Sequence, residues 1–262
     1  MSGFIYLVEQ FPLYVIVLIR TAGLLGFAPI FNHRSMPMRL RAALAGILAF
    51  VILPTIPQEV LGAVVLPDTI LGWTFLVVRE MLVGALLGFI ASMIVIGVMS
   101  AGELMARNMG LATAAEFNPD MQMPITPVTK LFMVIFSLAI LSLNVHYWFI
   151  EALVRSYKLV PINQLSLGAG VEAKLVELMD WIFVIGLRIA APVLAIMFLI
   201  SAAMGVMAKA APQVNILMIS FPIRIAIGLL VIGLSIHVVA GDLEDVLIRM
   251  GKELEILLHL MA

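Results

Sequence analysis

The sequence predicts an all-α membrane protein of about six apolar helical segments, several of them kinked or hairpin-like. Three observations carry this reading. Of 262 residues, 63% are hydrophobic and 12% charged, whereas a soluble domain runs at about half and about a quarter. Mean hydropathy is +1.18, so a fold in water would expose contiguous apolar patches and aggregate. The apolar residues also gather in runs with few or no formal charges, near the roughly 20 residues that cross a hydrocarbon core about 30 Å thick.

The first run, residues 4–31, carries Glu9 and Arg20 and is therefore unusually placed or unusually partnered. Without a basic leading stretch or a small-residue cleavage site, it does not read as a secretory leader. Runs 81–102, 131–150 and 189–208 are the cleanest, each at least twenty residues without a formal charge, and runs 42–58 and 225–241 are shorter. Pro29, Pro54, Pro57, Pro192 and Pro222 interrupt or end these runs, where neighbouring helices must satisfy the freed carbonyls. If the runs simply alternate across a membrane, loop cations tie. Arg34, Arg39, Arg41, Arg107, Lys130 and Lys209 fall on one side, and Arg79, Arg155, Lys158, Lys174, Arg249 and Lys252 on the other. No orientation follows from the positive-inside rule, and hairpins or half-spans buried in protein are the favoured explanation.

Residues 242–262 differ from the spans. Leu243, Val246, Leu247, Met250, Leu254, Leu257, Leu258 and Met261 recur at helical spacing against Glu244, Asp245, Arg249, Lys252, Glu253 and Glu255, which predicts an amphipathic helix with Asp242 as its N-cap. Residues 161–180 read as a second, polar-amphipathic connector. The predicted organisation is a helical membrane domain over residues 1–241 and an amphipathic C-terminal helix over 242–262.

Catalytic signatures are missing. His33, His146, His237 and His259 form no i, i+4 pair and no H-E-x-x-H; there is no G-x-S-x-G elbow and no P-loop. Residues 168–173, GAGVEA, fit G-x-G-x-x-A formally but follow a polar connector instead of a buried strand, so a flexible turn is the better reading. With no cysteine, thiolate metal sites, Fe–S clusters and disulfides are excluded. A net charge of −1 gives no field for nucleic acid. The expectation is a protein that is not an enzyme and has no cofactor, no metal and no nucleic-acid partner.

Charge inside or beside the apolar runs is more informative. Arg20, Arg79, Glu80, Glu103, Arg188 and Arg224 lie there. An arginine at the bilayer midplane costs roughly 2.5–3.5 kcal/mol, so such groups need partners. Consecutive helical residues do not face each other, so Arg79 and Glu80 are not a self-contained pair. Two readings stay open: pairing with charges on neighbouring chains, or snorkelling at span ends. Residues 102–128 are too polar to span and bring together Met105, Met109, Met121, Met123, Phe117 and three prolines. This segment is either a solvent loop or an irregular loop lining a cavity, for which deformable methionines would make a seal. Gly84 and Gly88 form a G-x-x-x-G, and Ser201 with Gly205 extends the small-residue theme that lets helices approach closely.

Several stretches resemble the FliR family of flagellar export-gate proteins. They are RTAGLLGFAPIFNHRSMPMRLRAALA from Arg20, REMLVGALLGF from Arg79, GELMARNMG from Gly102, SYKLVP from Ser156, LRIAAPVLAIMF from Leu187 and MAKAAPQVNILMISFPIRIAIG from Met207. They run in the family's order and cover nearly the whole chain except the last twenty or so residues. The resemblance implies a FliP-like and a FliQ-like unit joined in one chain, with tilted hairpins. It also implies partners: FliP and FliQ in a hetero-oligomeric pore, FlhB beside it, membrane lipid, and the unfolded flagellar proteins that are exported. The bacterial inner membrane, at the flagellar basal body, is the implied location. By the same resemblance the loop after Glu103 is the pore plug, a role carried onto Met105, Met109, Phe117, Met121 and Met123. Lys209 stands where arginine is expected before A-P-Q-x-N, and Arg224 follows F-P where family members are often uncharged. The alternatives are a virulence injectisome homologue, or a secondary transporter whose intramembrane arginines bind an anion at broken helices. An intramembrane hydrolase is disfavoured for want of a nucleophile–base pair.

Overall fold

The computed structural model of the chain describes residues 2–28, 37–111, 125–166, 168–213 and 215–261. Among these, every regular element is helical. The order is α1 (Ser2–Phe27), α2 (Met38–Ile52) running into a 3₁₀ turn (Leu53–Thr55), α3 (Gln58–Gly62), α4 (Ile70–Asn108), α5 (Pro127–Ser142), α6 (Val145–Leu159), α7 (Ala169–Ala210) and α8 (Ile216–Met261). By length and apolarity four described stretches could cross a membrane, or five if the bent pair α5–α6 is one span; Phe11–Phe27 is a shorter apolar helix. The described parts of the predicted runs are mostly helical, but they do not make six equivalent crossings.

The departures have physical causes. Run 131–150 breaks because Asn144 adopts a left-handed conformation (φ 54°, ψ 30°), which bends α5 from α6 by 64°; asparagine is among the few non-glycine residues that visit this region readily. Pro192 and Pro222, expected to interrupt runs, lie inside α7 and α8, as membrane helices tolerate when neighbours re-satisfy the backbone. Pro54 and Pro57 do end a run, at the 3₁₀ turn and at the N-cap of α3. Pro29 lies outside the described residues. No new helix begins at Asp242, because α8 continues unbroken through it. The predicted amphipathic stripe is nonetheless buried at all eight positions from Leu243 to Met261.

The chain divides into two compact units: residues 1–93, 144–178 and 248–262 form one, and residues 94–143 and 179–247 the other. In the first unit α1 buries Ile16, Val17, Arg20, Thr21, Leu24 and Leu25, an i, i+4 stripe that Ala28 continues just past its end. It meets a matching stripe of α4 across glycines. A Cβ on Gly84 would collide with the Arg20 carbonyl oxygen; on Gly88 it would lie 2.5 Å from the Leu24 oxygen, and on Gly23 2.7 Å from the Met81 oxygen. The G-x-x-x-G therefore serves a contact within the chain, with the two backbones in touch.

In the second unit α5 starts at a well-formed cap. Thr126 accepts from the Thr129 backbone N–H, with Pro127 at the first turn. Val128, Phe132, Phe136 and Ile140 then form the buried face of α5. Close approaches recur: a Cβ on Gly102 would sit 2.7 Å from Thr129 Cα, and on Gly186 3.2 Å from the Gly97 oxygen.

Candidate functional site

The most completely built polar feature lies in the first unit. Arg20 and Glu80 occupy core positions on the facing stripes of α1 and α4 and are essentially inaccessible. Because Gly84 lets the helix backbones touch at Arg20, the side chain needs to reach back only one turn of α4 to find Glu80. Arg20 Nε meets Glu80 Oε2 at 2.7 Å. Arg20 Nη1 donates to Ser156 Oγ at 3.0 Å and to the Val160 carbonyl at 3.1 Å. The guanidinium carbon stands 4.2 Å from the centre of the Tyr157 ring, within cation–π range. The second Glu80 oxygen accepts the Asn163 backbone N–H at 3.0 Å. Asn163, held at φ 68°, also accepts from Arg79 through its carbonyl and its side-chain oxygen, both at 3.0 Å.

This cluster joins α1, α4, the end of α6 and the turn after it. Chemically it is a clamp. Both charges are paired and further hydrogen-bonded, which offsets much of the desolvation of a buried ion pair, while Arg20 Nη2 is buried without a hydrogen-bond partner among the described residues. Arg20 therefore finds an acid within its own chain. Arg79 turns to Asn163 and not to Glu80, as the helical geometry of adjacent residues predicts.

The remaining candidates fall in the second unit. Glu103, partly exposed, pairs with Arg107 at 3.2 Å and accepts from Thr129 Oγ1 at 3.5 Å. It lines an open groove of about 670 Å³ with Met99, Ile125 and Phe183. Arg188 pairs with Asp242 at 2.7 Å, the residue expected to cap a terminal helix. Arg224 donates to the Asn108 carbonyl at 3.3 Å. Met105, on the last turns of α4, and Met109, the residue after its end, are fully buried, so the first part of segment 102–128 is helix and not loop. Phe117, Met121 and Met123 lie outside the described residues. Sequence reasoning missed Ser156, Tyr157, Asn163 and Asp242 as partners. Ser156 and Tyr157 stand in the SYKLVP stretch, which was the available signal.

Comparison with known proteins bears directly on this arrangement. The family model described as bacterial export proteins, family 1, matches residues 11–250. The chain belongs to the FliR family of bacterial export proteins. Among curated FliR-family relatives, it is 29% identical over 217 residues to the flagellar biosynthetic protein FliR of Escherichia coli (strain K12), covering 83% of this chain and 81% of the relative. To FliR of Bacillus subtilis (strain 168) it is 26% identical over 238 residues, 89% of each chain. To FliR of Caulobacter vibrioides it is 25% identical over 232 residues, 88% of this chain and 91% of the relative. Family and names together make this FliR-family chain a component of the flagellar export apparatus. The Arg20–Glu80 clamp, the Glu103 groove and Arg224 all lie inside the matched region.

Proposed function

We propose that this chain is a core subunit of the flagellar type III export gate. In that reading it assembles with FliP and FliQ, next to FlhB, into the inner-membrane pore through which unfolded flagellar subunits leave the cell. The observation that carries the reading is the family match over residues 11–250. Element lengths support it. At 1.5 Å per residue, the 39 residues of α4, 42 of α7 and 46 of α8 extend about 58, 63 and 69 Å, roughly twice a bilayer core. A simple helix bundle in a membrane needs no such lengths, whereas helices that tilt or project from the bilayer into a larger assembly do. The exposed apolar side chains of α7 and α8, among them Phe183, Phe198, Leu199, Leu229 and Leu234, supply surface for lipid and for partner chains.

The chain contributes packing and a conduit wall instead of chemistry. The Arg20–Glu80 clamp fixes the frame, and the Met-rich segment that begins on the last turns of α4 closes the pore at rest. Two measurements test this. Co-expression with FliP and FliQ followed by affinity capture of this chain should recover all three in fixed ratio; recovery of this chain alone, as a stable small homo-oligomer, would instead favour the transporter reading. Deleting residues 112–123 should raise ion leak through the assembled resting complex, and an unchanged leak would remove the plug assignment.

A further inference from the structure

The C-terminal turn of α4 is held at two points by one short stretch of α8. The first point is steric. Met109 is fully buried, and its side chain fills the space where Gly228 lacks a Cβ: an added Cβ would lie 2.6 Å from Met109 Cε, 2.7 Å from Cγ and 2.8 Å from Sδ. Three atoms of one side chain inside that radius mean that no single rotation of the methyl end relieves the clash. A Cβ there would require Met109 to turn about its Cα–Cβ bond and leave its buried position. The second point is polar. Arg224, one turn before Gly228 on α8, donates through Nη1 to the Asn108 carbonyl at 3.3 Å. Asn108 is the last residue of α4, so its carbonyl is one of those left without an intrahelical partner, and a cation there also meets the negative end of the helix dipole.

The end of α4 is otherwise completed from within. Met109 N–H donates to the Met105 carbonyl at 2.9 Å and Gly110 N–H to the Arg107 carbonyl at 3.0 Å, with Gly110 at φ 82°. This is a glycine-terminated helix end. Arg107, the other cation of the turn, is engaged by Glu103, which leaves the Asn108 carbonyl to Arg224.

We infer that Arg224 and Gly228 are positioning residues that fix where α4 ends, and thereby set the resting leak of the complex. The consequence for leak rests on the plug reading above; the clamp itself does not. The chain has no cysteine, so Leu111→Cys and Gly233→Cys can carry a pair of spin labels in the complex assembled with cysteine-free partners. The labelled parent should give one narrow distance distribution. Arg224→Leu and Gly228→Ala should each broaden it and raise resting leak, Arg224→Leu by about threefold to tenfold, the range for loss of one ordinary, solvent-exposed hydrogen bond. Arg224→Lys, which retains a donor, should restore both. Met109→Ala should narrow the distance distribution that Gly228→Ala broadens, by emptying the space the new methyl needs; this variant is read by distance alone, because Met109 also belongs to the plug reading. An unchanged narrow distribution in Arg224→Leu and Gly228→Ala overturns the clamp. Broadened distances without added leak, in a complex that does leak when residues 112–123 are deleted, overturn its control of the pore while leaving the plug standing. If that deletion does not leak either, the plug reading fails, and the distance measurement still decides the clamp.

Discussion

A single arginine at a core position of α1 decides how its surroundings are built. Arg20 is fully buried, and at a bilayer midplane an unpartnered arginine costs roughly 2.5–3.5 kcal/mol even on the most lenient scale. Glu80, Ser156, the Val160 carbonyl and the Tyr157 ring surround it within one unit. Removing one partner leaves the other buried and alone, so Arg20→Ala or Glu80→Ala should each cost about 3–5 kcal/mol. Replacing both with apolar residues of similar volume, Arg20→Met with Glu80→Leu, should cost much less than the sum of the single changes. Thermal unfolding of the detergent-solubilised complex reads this directly, and additive losses would show that the two charges are not coupled. Arg20→Lys keeps the charge but loses the fork that reaches Glu80 and Ser156 together, and should fall between wild type and Arg20→Ala.

At the scale of helices, contact depends on residues that are missing a side chain. Gly84 lies where any Cβ meets the Arg20 carbonyl, so Gly84→Ala must push α1 away from α4, with an expected loss of about 1–3 kcal/mol. Gly205 in α7 has nothing within 4 Å of its would-be Cβ, so Gly205→Ala should be neutral or stabilise the isolated chain by up to about 1 kcal/mol through helix propensity. Equal effects at both sites, measured as midpoint shifts in the same detergent, would refute the close-contact account. Much at this scale was legible in the sequence. The period of the C-terminal stripe identified its eight buried apolar residues because amphipathicity is a local property, but it set Glu253, which is also buried, on the polar face. The break at Asn144 was not legible, since an asparagine inside an apolar run is compatible with either a continuous helix or a left-handed turn. The partners of Arg20 were equally hidden: Glu80, Ser156 and Val160 are 60 to 140 positions away, and pairing over such separations is a tertiary fact that no spacing rule encodes. Asp242 looked like a cap because it follows a glycine. Its carboxylate instead meets Arg188, and a paired acid has no need to start a helix.

For the whole molecule the telling quantity is which exposed surface is apolar. Phe198 is 73% exposed in the middle of α7, beside exposed Leu199 and with exposed Ala195 and Ala202 about one turn to either side; such a face is tolerable only against lipid or another apolar chain. Ile256, 42% exposed near the end of α8, stands instead beside exposed Lys252, Glu255 and His259, the composition of a surface that water can wet. The two positions are similar in residue type and differ in the solvent they are expected to meet. Phe198→Lys should therefore cost roughly 2–3 kcal/mol wherever that face lies in hydrocarbon. It should lower the yield of membrane-inserted chain in complex with FliP and FliQ by at least about tenfold. Ile256→Lys should leave the yield within about twofold, since surface substitutions of this kind stay within about 0.5 kcal/mol. Quantifying the chain in the membrane fraction and in the captured complex separates the two cases. Loss from the membrane fraction assigns the Phe198 face to lipid, whereas normal insertion with loss only from the complex assigns it to a partner subunit. Equal tolerance of lysine at both positions would mean that the apolar face of α7 meets water in the working assembly, and would remove the membrane-embedded reading of that helix.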